Sequence, residues 1–234
     1  MKNLNIFSSV ANYENAKSTG ILNVPNVSFI DEDNSTRYLL ENIDPYNGYE
    51  YVDLGLPSGL KWATCNIGAT SPEQPGMYFA WGETTGYTTE QITSGVRAFT
   101  QDEYNAGQAA SIDTDLILEQ DAAHVNMGGN WRIPSKADYQ ELVNNTTQTI
   151  ISNYNKTGVN GYLFTSKINS NSIFLPLVGW AINSSISFYG SAYSYWTITY
   201  STTDKAYLYM GDNYGSIIST INRYYGISIR AVSK

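Results

Sequence analysis

Short apolar runs separated by turns rich in glycine, serine and asparagine are the feature that most restricts the fold of this chain. Runs such as 51–54, 162–165 and 195–199 are too short for ordinary helices. They are also rich in the aromatic and β-branched residues that are favoured in strands. Many short strands with few helices predict a β-dominated α+β domain.

One helix is predicted clearly, directly after the segment 131–134. Ser135 can cap its first turn, and Asp138 occupies the position of the acid in a capping box. Tyr139 and Leu142 then lie on one apolar stripe, with Val143 beside them. Residues 83–130 are polar and irregular in pattern, with one possible helical stretch within 113–123.

The composition favours a neutral, hydrogen-bonding surface. Charged residues make up only 15% of the chain although the mean hydropathy is −0.30, so the polarity comes from neutral residues, including 20 tyrosines. The net charge of −8 provides no basic stripe for nucleic acid and does not favour anionic lipid. We therefore expect neither nucleic acid nor a membrane as a partner.

A single cysteine, Cys65, and a single histidine, His124, exclude several kinds of site. The chain cannot form an internal disulfide, a dithiol redox centre or a zinc site of several cysteines and histidines. A Cys–His catalytic pair is formally possible, but lone residues of these types are more often ordinary core or surface positions.

The first 48 residues are expected to form a small arm. Two strand-like runs, 22–30 and 36–40, flank a turn at 31–35, and a turn-rich linker follows at 42–48. An isolated hairpin is marginal in water, so the arm is expected to assemble with another surface. The opening residues contain no apolar stretch typical of a secretory leader, and none is expected.

The remaining residues, 49–234, resemble the Fibrobacter-type major paralogous domain family of gut anaerobes. The resemblance is carried by six ordered segments: 51–69, 78–83, 129–134, 175–176, 195–196 and 223–230. It implies a C-type lectin-like fold. The first segment, 1–48, is similar to modules of structural proteins of gut bacteriophages, and a virion protein would need no secretory leader.

The resemblance to lectins raises the question of calcium. Lectins of this fold bind calcium through a Glu-Pro-Asn or Gln-Pro-Asp tripeptide, whereas this chain has Gln74-Pro75-Gly76, which lacks the acid. No metal and no other cofactor is therefore expected.

Binding residues are predicted in the loops of region 181–225. Loops 181–194, 200–205 and 211–216 are rich in Tyr, Ser, Asn and Gly, the composition of adaptable binding loops. The candidate ligand-binding residues, expected to cluster on one exposed face, are Tyr189, Tyr193, Asp204, Tyr207, Tyr209, Asp212, Asn213, Tyr214 and Tyr224.

Other large residues are expected to be structural. In strand 206–210, Leu208 faces the core by alternation, which turns Tyr207 and Tyr209 outward. The residues expected in the core are Trp62, Trp81, Trp131, Trp196, Leu208, Ile227 and Ile229, and those expected to hold loops by guanidinium hydrogen bonds are Arg132, Arg223 and Arg230. For Trp180, core packing and ligand stacking stay open.

Taken together, the sequence and the resemblance predict a non-enzymatic bacteriophage virion protein of the capsid or of a tail fibre. The arm would join other virion subunits, and the lectin-like domain would attach to a host glycan or surface protein. A homo-oligomer is expected. Two alternatives stay open: a bacterial cell-surface adhesin of the same family, and a purely structural decoration subunit of the virion.

Overall fold

A computed structural model describes residues 27–30, 36–39, 46–212 and 214–234. The chain divides into two compact units, Met1–Asp44 and Pro45–Lys234. In the first unit, β1 (Val27–Ile30) pairs antiparallel with β2 (Thr36–Leu39), with Val27 opposite Leu39. The hairpin expected from the two strand-like runs is therefore present.

The second unit is a mixed α and β structure of small antiparallel sheets, with strand exceeding helix by 35% to 19% over the chain. One sheet has the order β13-β4-β3, formed by β3 (Tyr51–Asp53), β4 (Lys61–Ala63) and β13 (Val232–Ser233), and it joins the two ends of the unit. A second has the order β5-β6-β7, formed by β5 (Thr146–Ile151), β6 (Gly161–Ser166) and β7 (Ser172–Pro176). The strong β content agrees with the prediction from the short apolar runs.

The remaining strands form the part of the unit that carries the loops of region 181–225. A hairpin consists of β8 (Trp180–Ile182) and β9 (Ser185–Ser187). A three-stranded sheet with the order β10-β11-β12 consists of β10 (Ala192–Tyr200), β11 (Lys205–Asp212) and β12 (Gly215–Asn222).

The helices are short. They are α1 (Thr89–Thr93), α2 (Gln101–Asn105), α3 (Ala122–Met127) and α4 (Lys136–Asn145), with 3-10 turns at Gln108–Ser111, Leu118–Gln120 and Tyr154–Lys156. The predicted capping box of α4 is present, with the Ser135 hydroxyl accepting from the Asp138 amide at 3.2 Å. Helices α1 and α2 were not predicted, and both begin at a threonine cap, Thr88 and Thr100. In the described part of the chain, no helix has the length and apolarity needed to cross a bilayer.

The β10-β11-β12 sheet lies between two hydrophobic clusters. Trp196, Leu208 and Ile227 belong to one cluster, together with Trp81 and Trp131. Residues of the opposite face pack in the other cluster against α4, β4 and β6; this cluster includes Tyr193, Tyr195, Tyr209, Trp62, Tyr139, Leu142 and Phe164. Both faces of the sheet are therefore largely covered by protein.

This double coverage corrects the expected exposure of Tyr193 and Tyr209. Their exposed fractions are 0% and 1%, so neither lies on the surface. The alternation of β11 is as predicted, because Leu208 and Tyr209 point to opposite faces. The error lay in assuming that the second face meets solvent, whereas Tyr139 stacks on Tyr209 at 4.8 Å between ring centroids.

The predicted structural roles of the tryptophans and arginines are confirmed. Trp62, Trp81, Trp131 and Trp196 are each at most 1% exposed. Arg223 donates to the carbonyl of Ile112 at 2.6 Å and Arg230 to that of Thr64 at 2.6 Å. Arg132 donates to the Asp138 carboxylate at 2.7 Å and thereby supports the start of α4.

Candidate functional site

A cleft of about 610 Å³ opens between the β8–β9 region and the β11–β12 hairpin. We call it the aromatic cleft. Its lining includes Trp180, Phe188, Ser191, Asp212, Tyr214 and Ile217. This volume lies within the range of about 300–1,000 Å³ that is usual for ligand pockets.

Large apolar side chains are unusually exposed around this cleft. Phe188 is 59% exposed, Ile217 62% and Tyr214 98%, and Tyr189, next to Phe188 in the chain, is 52% exposed. Single exposed apolar residues are common on protein surfaces, but a group of them around one concavity is typical of an interaction site.

One wall of the aromatic cleft is formed by Trp180 and Phe188, and it depends on a tightly constrained turn. Phe188 has a φ of +59°, a region that a bulky residue adopts only when its surroundings enforce it. The chain approaches Gly179 so closely that a Cβ there would lie 2.0 Å from the carbonyl oxygen of Ser187. The Phe188 ring stacks on Trp180 with centroids 4.6 Å apart, and its carbonyl accepts from the Ser191 hydroxyl at 3.0 Å. The wall is therefore held in place by backbone geometry and by ring packing.

The second wall is the tip of the β11–β12 hairpin. The Asp212 carboxylate accepts from the Tyr214 amide at 2.8 Å, which closes the turn. The carbonyl of Asp212 accepts from the Tyr162 hydroxyl at 2.5 Å. On the other side of the tip, the Ser216 hydroxyl donates to Gln148 Oε1 at 2.9 Å. Both sides of the tip are thus tied to the β5-β6-β7 sheet.

Buried tyrosines lie beneath this tip. The Tyr193 hydroxyl donates to the Tyr209 hydroxyl at 3.2 Å, and the Tyr209 hydroxyl donates to Gln148 Oε1 at 3.4 Å. Burial raises the pKa of both phenols, so they stay protonated and able to donate. Gly211 makes room for them, because a Cβ at this position would lie 2.6 Å from the Tyr193 hydroxyl oxygen.

The structure separates the predicted binding residues instead of grouping them. Tyr189, Asp212 and Tyr214 lie at or beside the aromatic cleft. Asp204 and Tyr224 lie at the other end of the sheet, where the carbonyl of Asp204 accepts from the Arg223 amide at 3.0 Å. Since Asp204 and Asp212 lie at opposite ends of β11, roughly 25 Å separates the two ends at about 3.3 Å per residue. The expectation of one exposed cluster is therefore wrong.

The other predicted residues have different surroundings. Tyr207 is half-buried, and its ring faces the Lys136 ammonium at 4.2 Å. Asn213 lies outside the described residues. For the members that remain accessible, ligand binding stays a prediction.

Sequence reasoning missed two important members of the cleft, Phe188 and Ile217. Both stand beside a second large apolar residue in an otherwise polar loop or strand, as Phe188-Tyr189 and Ile217-Ile218. Such pairs within segments of Ser, Gly and Asn were an available signal. For Trp180, core packing and ligand stacking were both open. Its half-buried ring stacks on Phe188 and also lines the cleft, so it packs within the protein and stays accessible to a ligand.

A smaller cleft of about 310 Å³ lies elsewhere in the unit, with Tyr49, Cys65 and Asn66 in its lining. Asn66 is committed to the structure, because its side-chain oxygen accepts from the buried Arg230 at 2.9 Å. This cleft contains one lone thiol and exposes fewer large apolar side chains than the aromatic cleft does. The aromatic cleft is therefore the stronger candidate.

No group of three or more Asp, Glu, His or Cys side chains converges as metal ligands within the described ranges. Comparisons of the chain with protein-family models, with curated proteins and with solved structures find no match. A function for this chain is therefore inferred from its cleft and its sequence.

Proposed function

We propose that this chain is a non-enzymatic bacteriophage virion protein that attaches to the host surface through the aromatic cleft. In this proposal the 49–234 domain is C-type lectin-like, and the N-terminal arm joins the protein to other subunits of the capsid or tail. The observation that carries the proposal is the group of exposed aromatic and aliphatic side chains around one concavity.

Rigidity supports a binding role for this surface. Immobilising a flexible side chain or loop costs about 0.5–1.5 kcal/mol for each rotamer-rich group, and a wall that is already ordered avoids much of this cost. The hairpin tip is held by Tyr162 and Gln148, and Phe188 is held by its stack on Trp180. The Phe188 ring and the backbone that carries Tyr214 are thus held in a defined arrangement before any ligand arrives.

The chemistry of the lining supports attachment over catalysis. Among the described residues that line the cleft, Asp212 is the one carboxylate, and one of its oxygens already accepts from the Tyr214 amide. Acid–base hydrolysis of glycosides needs two carboxyl groups on either side of the scissile bond. A single hydrogen-bonded carboxylate between aromatic walls is better suited to binding.

The virion assignment is supported by the N-terminal segment and by its resemblance to modules of phage structural proteins. Strands β1 and β2 form a two-stranded hairpin. Two strands alone offer too little buried surface for independent stability, which favours assembly with another subunit.

An attachment assay with the full chain tests the binding role. Labelled protein is incubated with a panel of anaerobic gut bacteria, and retention on the cells is compared between the parent and the double variant Phe188→Gly/Tyr214→Ala. Glycine suits the φ of +59° at residue 188, and Tyr214 is 98% exposed, so this variant is expected to fold. We expect attachment to fall at least tenfold.

The control is Tyr224→Ala, which removes a half-buried tyrosine at the opposite end of the sheet, outside the lining of the cleft. Equal retention of parent and cleft variant on a strain that binds the parent would contradict the role of the cleft. The virion assignment is tested separately by labelling purified phage particles with an antibody against the chain. Absence of the chain from particles whose genome encodes it would exclude that assignment.

A further inference from the structure

Three polar side chains of the aromatic cleft, those of Ser191, Asp212 and Ser216, face a ligand as hydrogen-bond acceptors. The hydroxyl proton of Ser191 is used on the carbonyl of Phe188, and that of Ser216 on Gln148 Oε1. Asp212 is exposed, and in the described part of the chain its Oδ2 has no protein donor. An ionised carboxylate only accepts, and a hydroxyl that has donated its proton keeps its lone pairs. A complementary ligand must therefore supply donors to these three side chains, while the Tyr214 hydroxyl and the Trp180 indole N–H in the same lining can donate to it.

The charge of the cleft excludes one large class of ligand. No lysine or arginine is among the described residues that line it, and Asp212 contributes a negative charge. The chain as a whole carries −8. A phosphate, a sulfate or a sialic acid would meet repulsion here with no guanidinium or ammonium to neutralise it. The ligand is therefore neutral or cationic.

The arrangement of the rings distinguishes these two possibilities. Recognition of a quaternary ammonium uses several ring faces that surround the cation. Here Trp180 and Phe188 stack on each other at 4.6 Å and 27°, so one face of each ring is occupied by the other ring. The pair forms a platform and not a cage, and Tyr214 stands across the cleft with 98% of its surface free.

From these observations we propose that the aromatic cleft binds a neutral saccharide; this deepens the proposed function and rests on it. The C–H face of a sugar ring carries slight positive charge and complements the negative face of an aromatic ring. Its hydroxyls donate to the Asp212 carboxylate and to the hydroxyl oxygens of Ser191 and Ser216. A neutral sugar can thus stack on the platform and donate to the acceptors, and it needs no cationic side chain to neutralise it.

The test is direct binding of the full chain to an array that contains neutral, sialylated and sulfated glycans. Binding to each glycan that the array identifies is confirmed in solution by intrinsic tryptophan fluorescence. Trp180 is the half-buried tryptophan in the cleft, while the other four are at most 1% exposed, so ligand stacking is expected to change its emission. Trp180→Phe should lose the fluorescence change, which would assign the signal to this residue.

Two variants measure the two kinds of contact. Tyr214→Ala is expected to weaken binding of a positive neutral glycan by about tenfold or more. Asp212→Asn keeps an oxygen that can accept from the Tyr214 amide but removes the charge, and we expect a loss of similar size because charge-assisted hydrogen bonds are about twice as strong as neutral ones. Tyr224→Ala should bind like the parent. Binding of neutral glycans that is unaffected by either cleft variant would overturn the proposal.

The same experiments also test other classes of ligand. Choline and a lysine-rich peptide are titrated in parallel, and tighter cleft-dependent binding of either one than of any neutral glycan would also overturn the proposal, as would preference for sialylated or sulfated glycans. With host cells, periodate oxidation of sugars should abolish attachment of the parent, and protease treatment should not.

The attachment role of the cleft and the saccharide as its ligand can be disproved separately. If attachment depends on the cleft but survives periodate and is lost with protease, the ligand is a protein and the saccharide assignment is wrong while the attachment role stands. If attachment does not depend on the cleft at all, the proposed function itself is wrong.

Discussion

Tyr209 and Tyr214 belong to the same β-hairpin, yet one is 1% exposed and the other 98% exposed. Tyr209 stacks on Tyr139 of α4 and bonds to Tyr193 and Gln148. Tyr214 stands at the tip of the hairpin, where its backbone amide is fixed by Asp212 while its ring is free. The same residue type thus stabilises the support in one place and forms the contact surface in the other.

The backbone beneath the exposed Tyr214 is held by contacts with a neighbouring sheet. The hairpin tip is anchored to β5 and β6 through Gln148 and Tyr162. Those anchors lie close to the buried tyrosines, so the stability of the core and the geometry of the cleft are linked. Changes to buried tyrosines should therefore affect both folding and attachment, whereas changes to exposed tyrosines should affect attachment alone.

The largest effect is expected at alkaline pH, where the buried tyrosines should make the fold unstable. Burial raises the pKa of Tyr139, Tyr193, Tyr195 and Tyr209, and that of Tyr104 to about 12. In the unfolded chain a tyrosine has a pKa of about 10, so above that pH the unfolded state releases protons that the folded state retains. Stability is therefore fully present below about pH 10 and is lost as the pH rises above it.

We expect the domain to unfold globally in this alkaline range. Circular dichroism and tyrosinate absorbance are followed in one pH titration. The absorbance of the buried phenolates should rise together with the loss of folded structure. Complete tyrosinate formation in a chain that is still folded would show that these phenols are accessible. It would contradict the contrast between buried and exposed tyrosines.

A pair of alanine substitutions measures the contrast directly. Tyr209→Ala should lower the free energy of unfolding by about 4 kcal/mol, the usual cost of removing a buried aromatic side chain. At this chain length the melting temperature should fall by roughly 10 °C. Tyr214→Ala should change the free energy of unfolding by less than about 0.5 kcal/mol. Chemical denaturation of both variants checks the prediction, and similar costs for the two would contradict it.

A glycine substitution tests the support of the first wall. Gly179→Ala should lower the free energy of unfolding by about 3 kcal/mol, because its φ of +62° disfavours alanine and its Cβ would meet the Ser187 carbonyl at 2.0 Å. Gly190→Ala is the matched control, with a φ of +76° but no atom within 4 Å of the added Cβ, and should cost about 1 kcal/mol. Thermal melts of both variants give the difference, and equal costs would show that the close approach at Gly179 relaxes easily.

Local patterns in the sequence were enough to locate several elements. The capping box at Ser135 and Asp138 placed the start of α4, because it depends only on residues three apart in the chain. The runs around 31–35 predicted the β1–β2 hairpin for the same reason. The burial of Trp62, Trp81, Trp131 and Trp196 also followed from their strand-like surroundings and their size.

Only the tertiary structure decided which faces and loops meet. Alternation in β11 separates Leu208 from Tyr209, but nothing local indicates that α4 covers the second face and buries Tyr209. Loops 200–205 and 211–216 are both polar and each contains a tyrosine, a serine and an aspartate, yet β11 between them places them at opposite ends of the sheet. The cleft joins Trp180 and Phe188 to the distant Tyr214, and such non-local contacts depend on how complete elements pack, which residue type and spacing along the chain do not encode by themselves.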